Sequence, residues 1–190
     1  MSTRFEIRLA GSGGQGLILA GIILAEAAGI YDGKFVCQTQ SYGPAARGGA
    51  SKAEVVISDA EIDYPQAIQP DVLLALNQKS LDTYLGDLKP GGLLMVDATL
   101  VPEVPVERFI AIPFTHMARE LGREMVANIV ALGSLAAISR AVTLESLEKA
   151  VLARVPRGTA ELNKQALAAG MKAARPWASL ETGKNPREGS

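Results

Sequence analysis

Six residues restrict this chain more than any others: Gly11-Ser12-Gly13-Gly14-Gln15-Gly16, set between the strand-like Phe5-Glu6-Ile7-Arg8-Leu9-Ala10 and the apolar run Leu17 to Ala25. A buried strand that ends in a glycine turn and feeds an apolar helix is how an open α/β sheet begins. The glycines allow a tight turn and close backbone approach, and free N–H groups at the helix start attract a phosphate or carboxylate. The spacing of Gly11, Gly13 and Gly16 also satisfies the dinucleotide fingerprint, with strand before and helix after. The helix is expected from about Gln15 to Gly29, with Gly29 and the Asp32-Gly33 pair punctuating its end. It is apolar on nearly every face, which suits burial between a sheet and another layer.

Further along, Lys34 to Gln40 and Ala50 to Ser58 read as a second and third strand. Asp71 to Leu76 and Leu93 to Asp97 are continuous apolar runs, the pattern of strands buried on both faces. Arg108 to Ile112 reads as a shorter last strand. From residue 114 the pattern is helical: Thr115 is expected to cap a short helix to about Leu121, and Met125 to Arg140 is apolar nearly all round. Thr143 with Glu145, and Thr159 with Glu161, mark two more helix starts. The fold class that follows is α/β: a single Rossmann-like domain over residues 1–174, with a mostly parallel sheet, helices on both faces and a helical C-terminal third. Residues 175–190 read as a loose tail, although Trp177 is suited to docking on a surface.

Composition narrows the function. With 19 basic residues against 20 acidic ones and no Lys/Arg run, nucleic-acid binding has no footing. The greasy stretch from Leu17 ends at Glu26, short of the roughly 20 residues a membrane span needs. Residues 1–10 carry no basic n-region or cleavage site, so a cytoplasmic protein is expected. The single cysteine, Cys37, excludes an internal disulfide and any cysteine-ligated zinc or iron–sulfur site built from this chain alone. Cys37 is expected to be a small buried hydrophobe, and His116, the single histidine, a polar loop or cap residue.

The glycine turn lacks one part of a dinucleotide site. The acidic residue that holds the ribose belongs at the end of the second strand, where this chain has Gln38 to Gln40 and then Ser41. Asp32 has nearly the right spacing but precedes that strand. The next segment, Tyr42 to Gly49, follows the second strand and so lies at the carboxyl edge of the sheet, where ligands bind in open α/β folds. In it, Arg47 among small neighbours suits a carboxylate or phosphate, and Tyr42 offers a hydroxyl and an aromatic face. A solvated surface arginine, or a loop that docks a partner chain, fits the same residues. Gln15 adds an amide at the helix mouth.

Taken together, these segments resemble the γ subunit of 2-oxoacid:ferredoxin oxidoreductases, enzymes acting on pyruvate, 2-oxoglutarate or ketoisovalerate. The resemblance is carried by Gly11 to Gly16 with its Leu-Ala-Gly continuation, by Ser41-Tyr42-Gly43-Pro44 with Arg47-Gly48-Gly49 and Ser51, by Asp71 to Asn77, and by Asn128 to Gly133. It covers about residues 5–172. Ala45-Ala46 departs from it, since many relatives have a glutamate after the proline.

The resemblance implies a subunit that is inactive alone and helps to form the active site for coenzyme A-dependent oxidative decarboxylation, with electrons passed to ferredoxin. It also implies that thiamine diphosphate, Mg and iron–sulfur clusters sit on partner α, β and δ chains, and that coenzyme A is a co-substrate. The pocket or anion-binding residues it implies on this chain are Gly11, Ser12, Gly13, Gly14, Gln15, Gly16, Tyr42, Gly43, Pro44, Arg47, Gly48, Gly49 and Asn77. No catalytic residue or metal ligand is expected here. Two other classes fit the turn: a stand-alone Rossmann-type NAD(P)- or nucleotide-binding enzyme, and an anion-sensing binding module.

Overall fold

A computed structural model of the chain describes residues 4–42 and 50–177. Six strands form one sheet: β1 (Arg4–Ser12), β2 (Phe35–Ser41), β3 (Ala50–Ser58), β4 (Val72–Ala75), β5 (Leu93–Asp97) and β6 (Ile110–Ile112). Their order is β2-β3-β1-β4-β5-β6. Pairings β1–β4, β4–β5 and β5–β6 are parallel, whereas β3 runs antiparallel to both β1 and β2. Five strands therefore point one way, and their carboxyl ends share one edge with the start of β3.

Helix α1 (Leu17–Glu26) continues through Gly29 as a π-helical turn, Ala27–Tyr31, and stops at Asp32. Gly29 does not end the helix. A Cβ there would lie 2.6 Å from a methyl of Val36, so this glycine lets β2 approach the helix. Gly33, with φ +68°, makes the turn into β2.

α2 (Gln78–Tyr84) covers the opposite face of the sheet, over a small core of Ala10, Leu73, Ala75, Leu81, Leu94 and Val96. The main core lies on the α1 face. There α3 (Phe114–Glu120), α4 (Ala127–Ser139), α5 (Leu144–Arg154) and α6 (Ala160–Ala173) complete the layer. Every residue of α4 from Asn128 to Ala136 is buried, as the all-round apolar pattern demands of a core helix. It crosses α6 at very short range: a Cβ on Gly170 would lie 1.9 Å from the Val130 carbonyl oxygen, and one on Gly133 would lie 2.4 Å from that of Leu167.

Thr143 caps α5 as expected, accepting from Ser146 N at 3.2 Å. Thr115 does not cap α3, whose N-cap is Pro113. Its N–H and hydroxyl instead reach the buried Asp97 carboxylate, at 3.1 and 2.5 Å. Cys37 is only half buried, because β2 is an edge strand that neither face fully covers. His116 sits in the first turn of α3, exposed, with Nε2 3.5 Å from Glu120. Trp177 packs half buried against the main core. Among the described residues, no helix is long and apolar enough to cross a membrane.

Candidate functional site

The carboxyl edge of the sheet gathers the sequence features in one place. β1 ends at Ser12, in register with Ala50 at the start of β3, and Ser41 at the end of β2 faces Lys52. The glycine turn, the end of β2 and the start of β3 thus share neighbouring positions on this edge. Tyr42 lies there with 66% of its surface exposed. Gly43, Pro44, Arg47, Gly48 and Gly49 fall outside the described residues.

The turn has a buried foot and an open crest. Gly11 is buried, and a Cβ on it would sit 2.4 Å from Gln15 Oε1. That vacancy lets the Gln15 side chain fold beneath the turn. Its carbonyl oxygen accepts from Ser12 N at 2.7 Å, Ser12 Oγ at 3.1 Å and Asn77 Nδ2 at 3.2 Å, while its Nε2 donates to Leu76 O at 3.2 Å. Gln15 and Asn77 are thereby drawn together, as a clasp between the end of β1 and the end of β4. Asn77 also caps α2 by accepting from Ser80 N at 2.8 Å. So the Gln15 amide, read as a donor for a ligand, has one N–H committed to the protein.

Gly16 forms the other side of the foot. At φ +71° it precedes α1, and its carbonyl accepts from Ala20 N and from Asn128 Nδ2, at 3.0 and 3.1 Å. Asn128 thus ties the start of α4 to the start of α1, which gives the Asn128 to Gly133 stretch a physical role. The N-cap residue Gly16 brings no capping side chain to α1, and the first amides of any helix have no partner within it. At the crest, Gly13 and Gly14 are exposed, and a Cβ on either would meet no atom of the described residues within 4 Å. Gly14 has φ +88°, a reason of its own to be glycine; Gly13 has no positive φ.

Asp32 lies at the opposite end of the sheet, ahead of β2. Its carboxylate accepts from Thr143 N and Oγ1, both at 2.8 Å, and from Ser146 Oγ at 2.6 Å, locking the start of α5. Burial alone would raise this carboxyl; the hydrogen bonds from Ser146 and Thr143, with nearby Lys34, outweigh it and hold the group below its ordinary value. Asp32 serves a helix cap.

A charged cluster beside the edge is not apparent in the sequence motifs. On the α2 face, Arg8 and Glu54 stand opposite each other in the β1–β3 register, both 3% exposed at the side chain. Nε and Nη2 of Arg8 both lie 2.8 Å from Glu54 Oε1, and Lys52 Nζ is 2.8 Å from the same oxygen. Thr39 Oγ1 donates to Oε2 at 3.3 Å. Arg8 also pairs with the half-exposed Asp87. The Tyr84 ring lies under both cations, its centroid 5.3 Å from Arg8 Cζ and 5.7 Å from Lys52 Nζ, and its hydroxyl donates to Ala50 O at 3.3 Å. Burial pushes the Tyr84 phenol up, against the lowering effect of Arg8, so it stays a neutral donor. The available signal was charge at inward strand positions: Arg8 between Ile7 and Leu9, and Glu54 between Ala53 and Val55.

Comparison with known proteins gives consistent matches. The profile of the family described as pyruvate ferredoxin/flavodoxin oxidoreductase matches residues 6–173. The 2-oxoglutarate synthase subunit KorC of Methanocaldococcus jannaschii is 53% identical over 178 residues, covering 90% of this chain and 95% of the relative. The keto/oxoacid ferredoxin oxidoreductase γ subunit from Geobacter sulfurreducens superposes with a TM-score of 0.82 at 52% identity, covering 90% of this chain and 98% of that one. A 2-oxoglutarate:ferredoxin oxidoreductase from Magnetococcus marinus, solved with 2-oxoglutarate, coenzyme A and succinyl-CoA bound, matches at 25% identity and a TM-score of 0.79. That match covers 95% of this chain and 32% of the longer one.

Proposed function

The chain belongs to the pyruvate ferredoxin/flavodoxin oxidoreductase family as a γ-type subunit, and on that premise we propose that it completes the active site of a cytoplasmic 2-oxoacid:ferredoxin oxidoreductase. The observation that carries the reading is the open crest of the glycine turn. Gly13 and Gly14 present backbone at the sheet edge, where nothing in the described chain comes within 4 Å of a Cβ on either. Peptide N–H groups in such a turn, at the start of a helix whose N-cap is glycine, suit an anionic group or a partner's backbone.

In this reading the crest and the Tyr42 to Gly49 segment face partner α and β chains, with δ where the complex has one. Arg47 meets an anionic group of coenzyme A or of the 2-oxoacid, while Tyr42, Gly43, Pro44, Gly48 and Gly49 shape the wall. Thiamine diphosphate with Mg supplies the decarboxylation chemistry when bound, and iron–sulfur clusters carry electrons to ferredoxin. We place these groups on the partners, since a cluster needs several thiolates and this chain has one cysteine. What this chain contributes is positioning: the Gln15–Asn77 clasp fixes the turn, and the amides and Arg47 orient an anion. Relatives that are 2-oxoglutarate synthase subunits support 2-oxoglutarate as the 2-oxoacid.

The test is co-expression with α- and β-type chains. The expected result is a stable complex that reduces viologen in a 2-oxoglutarate- and coenzyme A-dependent manner, with lower kcat/KM for pyruvate. Arg47→Ala in that complex should raise the KM for coenzyme A or the 2-oxoacid. Recovery of only the free chain would overturn the assignment, and unchanged KM values would overturn the role of Arg47. The stand-alone NAD(P)-binding alternative gains no support from the comparisons.

A further inference from the structure

Two helices of this chain are apolar nearly all round, and the chain covers only one of them. Helix α4 is buried from Asn128 to Ala136. Helix α1 and its π turn instead carry an outward stripe of Leu19, Ile22 and Ile30, with Leu19 37% and Ile30 68% exposed. A helix apolar on every face belongs between two layers, and the described residues leave this stripe open. It flanks the side of the sheet, because α1 lies over β3 and β2: a Cβ on Gly21 would lie 2.9 Å from that of Ala53, and one on Gly29 lies against Val36. A groove of about 490 Å³ runs between helix and strand, with Ile22, Ala25, Ile30 and Val36 in its walls.

β2 is an unprotected edge. It ends the sheet, so among the described residues no strand pairs with its outer side. Sheets blunt such an edge with a charge, a proline, a bulge or simple shortness. The opposite edge, β6, has three residues. β2 has seven, Phe35 to Ser41, without charge or proline and in unbroken register with β3. Unpaired backbone beside an apolar groove is what an added strand requires.

The surrounding charges indicate where that strand comes from. Glu26 and Lys34, on the walls of the groove, are paired within the chain to Arg154 and Asp59. A two-fold axis sets a surface against itself. Here that brings uncharged strand to uncharged strand and apolar stripe to apolar stripe, and no charge loses its partner.

We propose that β2 and the outward stripe of α1 form a two-fold interface with a second copy of this chain. The two β2 strands pair antiparallel and join the sheets, and the two α1 helices lie side by side above the join. The proposal does not rest on the γ-subunit reading.

The experiment is sedimentation equilibrium of the full chain, which should give twice the chain mass. Ile30→Asp places a carboxylate on both sides of the axis and should raise the dimer dissociation constant about a hundred-fold, the reach of an interface hot spot, with native circular dichroism. Leu19→Lys is the second variant should Ile30→Asp fail to fold. Each chain has one thiol, Cys37. In a strand pair centred on Gln38, the middle of β2, the two Cys37 residues are diagonal neighbours about 8 Å apart. A short bis-maleimide should therefore link two wild-type chains and not two Ile30→Asp chains. A wild-type chain that stays monomeric at high micromolar concentration would overturn the proposal. So would a dimer that both variants leave intact, or one whose Cys37 thiols react without linking. A monomer whose assembly with co-expressed α- and β-type chains is lost in Ile30→Asp would assign this face to a partner chain and overturn the second copy as its occupant.

Discussion

The two halves of the glycine turn should respond to alanine with opposite signs. Gly16 is held at φ +71°, and an alanine Cβ would lie 2.4 Å from Asn128 Nδ2. Left-handed backbone costs a side-chain-bearing residue roughly 1–2 kcal/mol, and the displaced Asn128 to Gly16 hydrogen bond adds about 1 kcal/mol. Part of that is offset by the smaller entropy of an unfolded chain that has lost a glycine, about 0.4–1 kcal/mol. Gly16→Ala should therefore destabilise the isolated chain by about 2 kcal/mol, a fall in Tm of about 4–8 °C for a chain of this size.

Gly13 has no positive φ, and no atom of the described residues lies within 4 Å of a Cβ on it. Only the unfolded-state effect remains, so Gly13→Ala should leave Tm unchanged or raise it by about 1–4 °C. In the assembled enzyme the order reverses. A methyl on the crest stands where a ligand or partner backbone approaches, so Gly13→Ala should weaken assembly or raise the KM for coenzyme A. Thermal melts of the free chain and steady-state kinetics of the complex read the two effects separately. A Gly13→Ala complex indistinguishable from wild type would refute the idea that the crest is approached. A Gly16→Ala chain as stable as wild type would refute the account of the foot.

Gly170→Ala should be costly: its Cβ would fall 1.9 Å from Val130 O, and Ser134 Oγ already donates to Gly170 O at 2.7 Å, so α4 and α6 must separate. A loss of about 1–3 kcal/mol is expected in urea titrations, and a neutral result would mean that the crossing is looser than described. Asp32→Asn should lower stability at neutral pH. The Asp32 carboxyl titrates below its ordinary 3.8 when folded, so its contribution is present above that value and lost as pH falls through the lowered folded one. Urea midpoints of wild type and variant should differ at pH 7 and converge in acid, and a gap that widens in acid would contradict the sign.

Much of this fold was legible because the signals were local. The ends of β3 and β5 match the strands expected at Ala50 to Ser58 and Leu93 to Asp97, and the all-round apolar helix α4 lies in the core. The misreadings concern residues whose partners are distant in sequence. Thr115 looked like a cap, but its hydroxyl goes to Asp97, 18 residues earlier. Gly29 looked like a helix stop, yet it makes room for a Val36 methyl while the helix winds on as a π turn. In the site, the turn is visible as a motif, but the acceptor of the Gln15 amide, Leu76 O, lies 61 residues away just past the end of β4 and is not. The Arg8–Glu54–Lys52 cluster was hidden for the same reason: a charge between two apolar neighbours shows its partner only once the register is known.

Register also explains why a glycine fingerprint here need not imply a dinucleotide. In the dinucleotide-binding order, the second strand lies next to the first, so an acid at its tip reaches the ribose of a cofactor whose pyrophosphate sits on the glycine turn. In this chain the antiparallel β3 is inserted between them. The tip of β2 is then two strand spacings from the turn, about 9.6 Å in place of about 4.8 Å. The missing acid and the inserted strand point the same way. Residues nearer the turn now come from β3, and there the chain places Lys52, a cation, where a ribose-binding fold would place an acid. The fingerprint here marks a strand-to-helix turn whose neighbouring strand end, Ala50-Ser51-Lys52, offers no acid to a ribose.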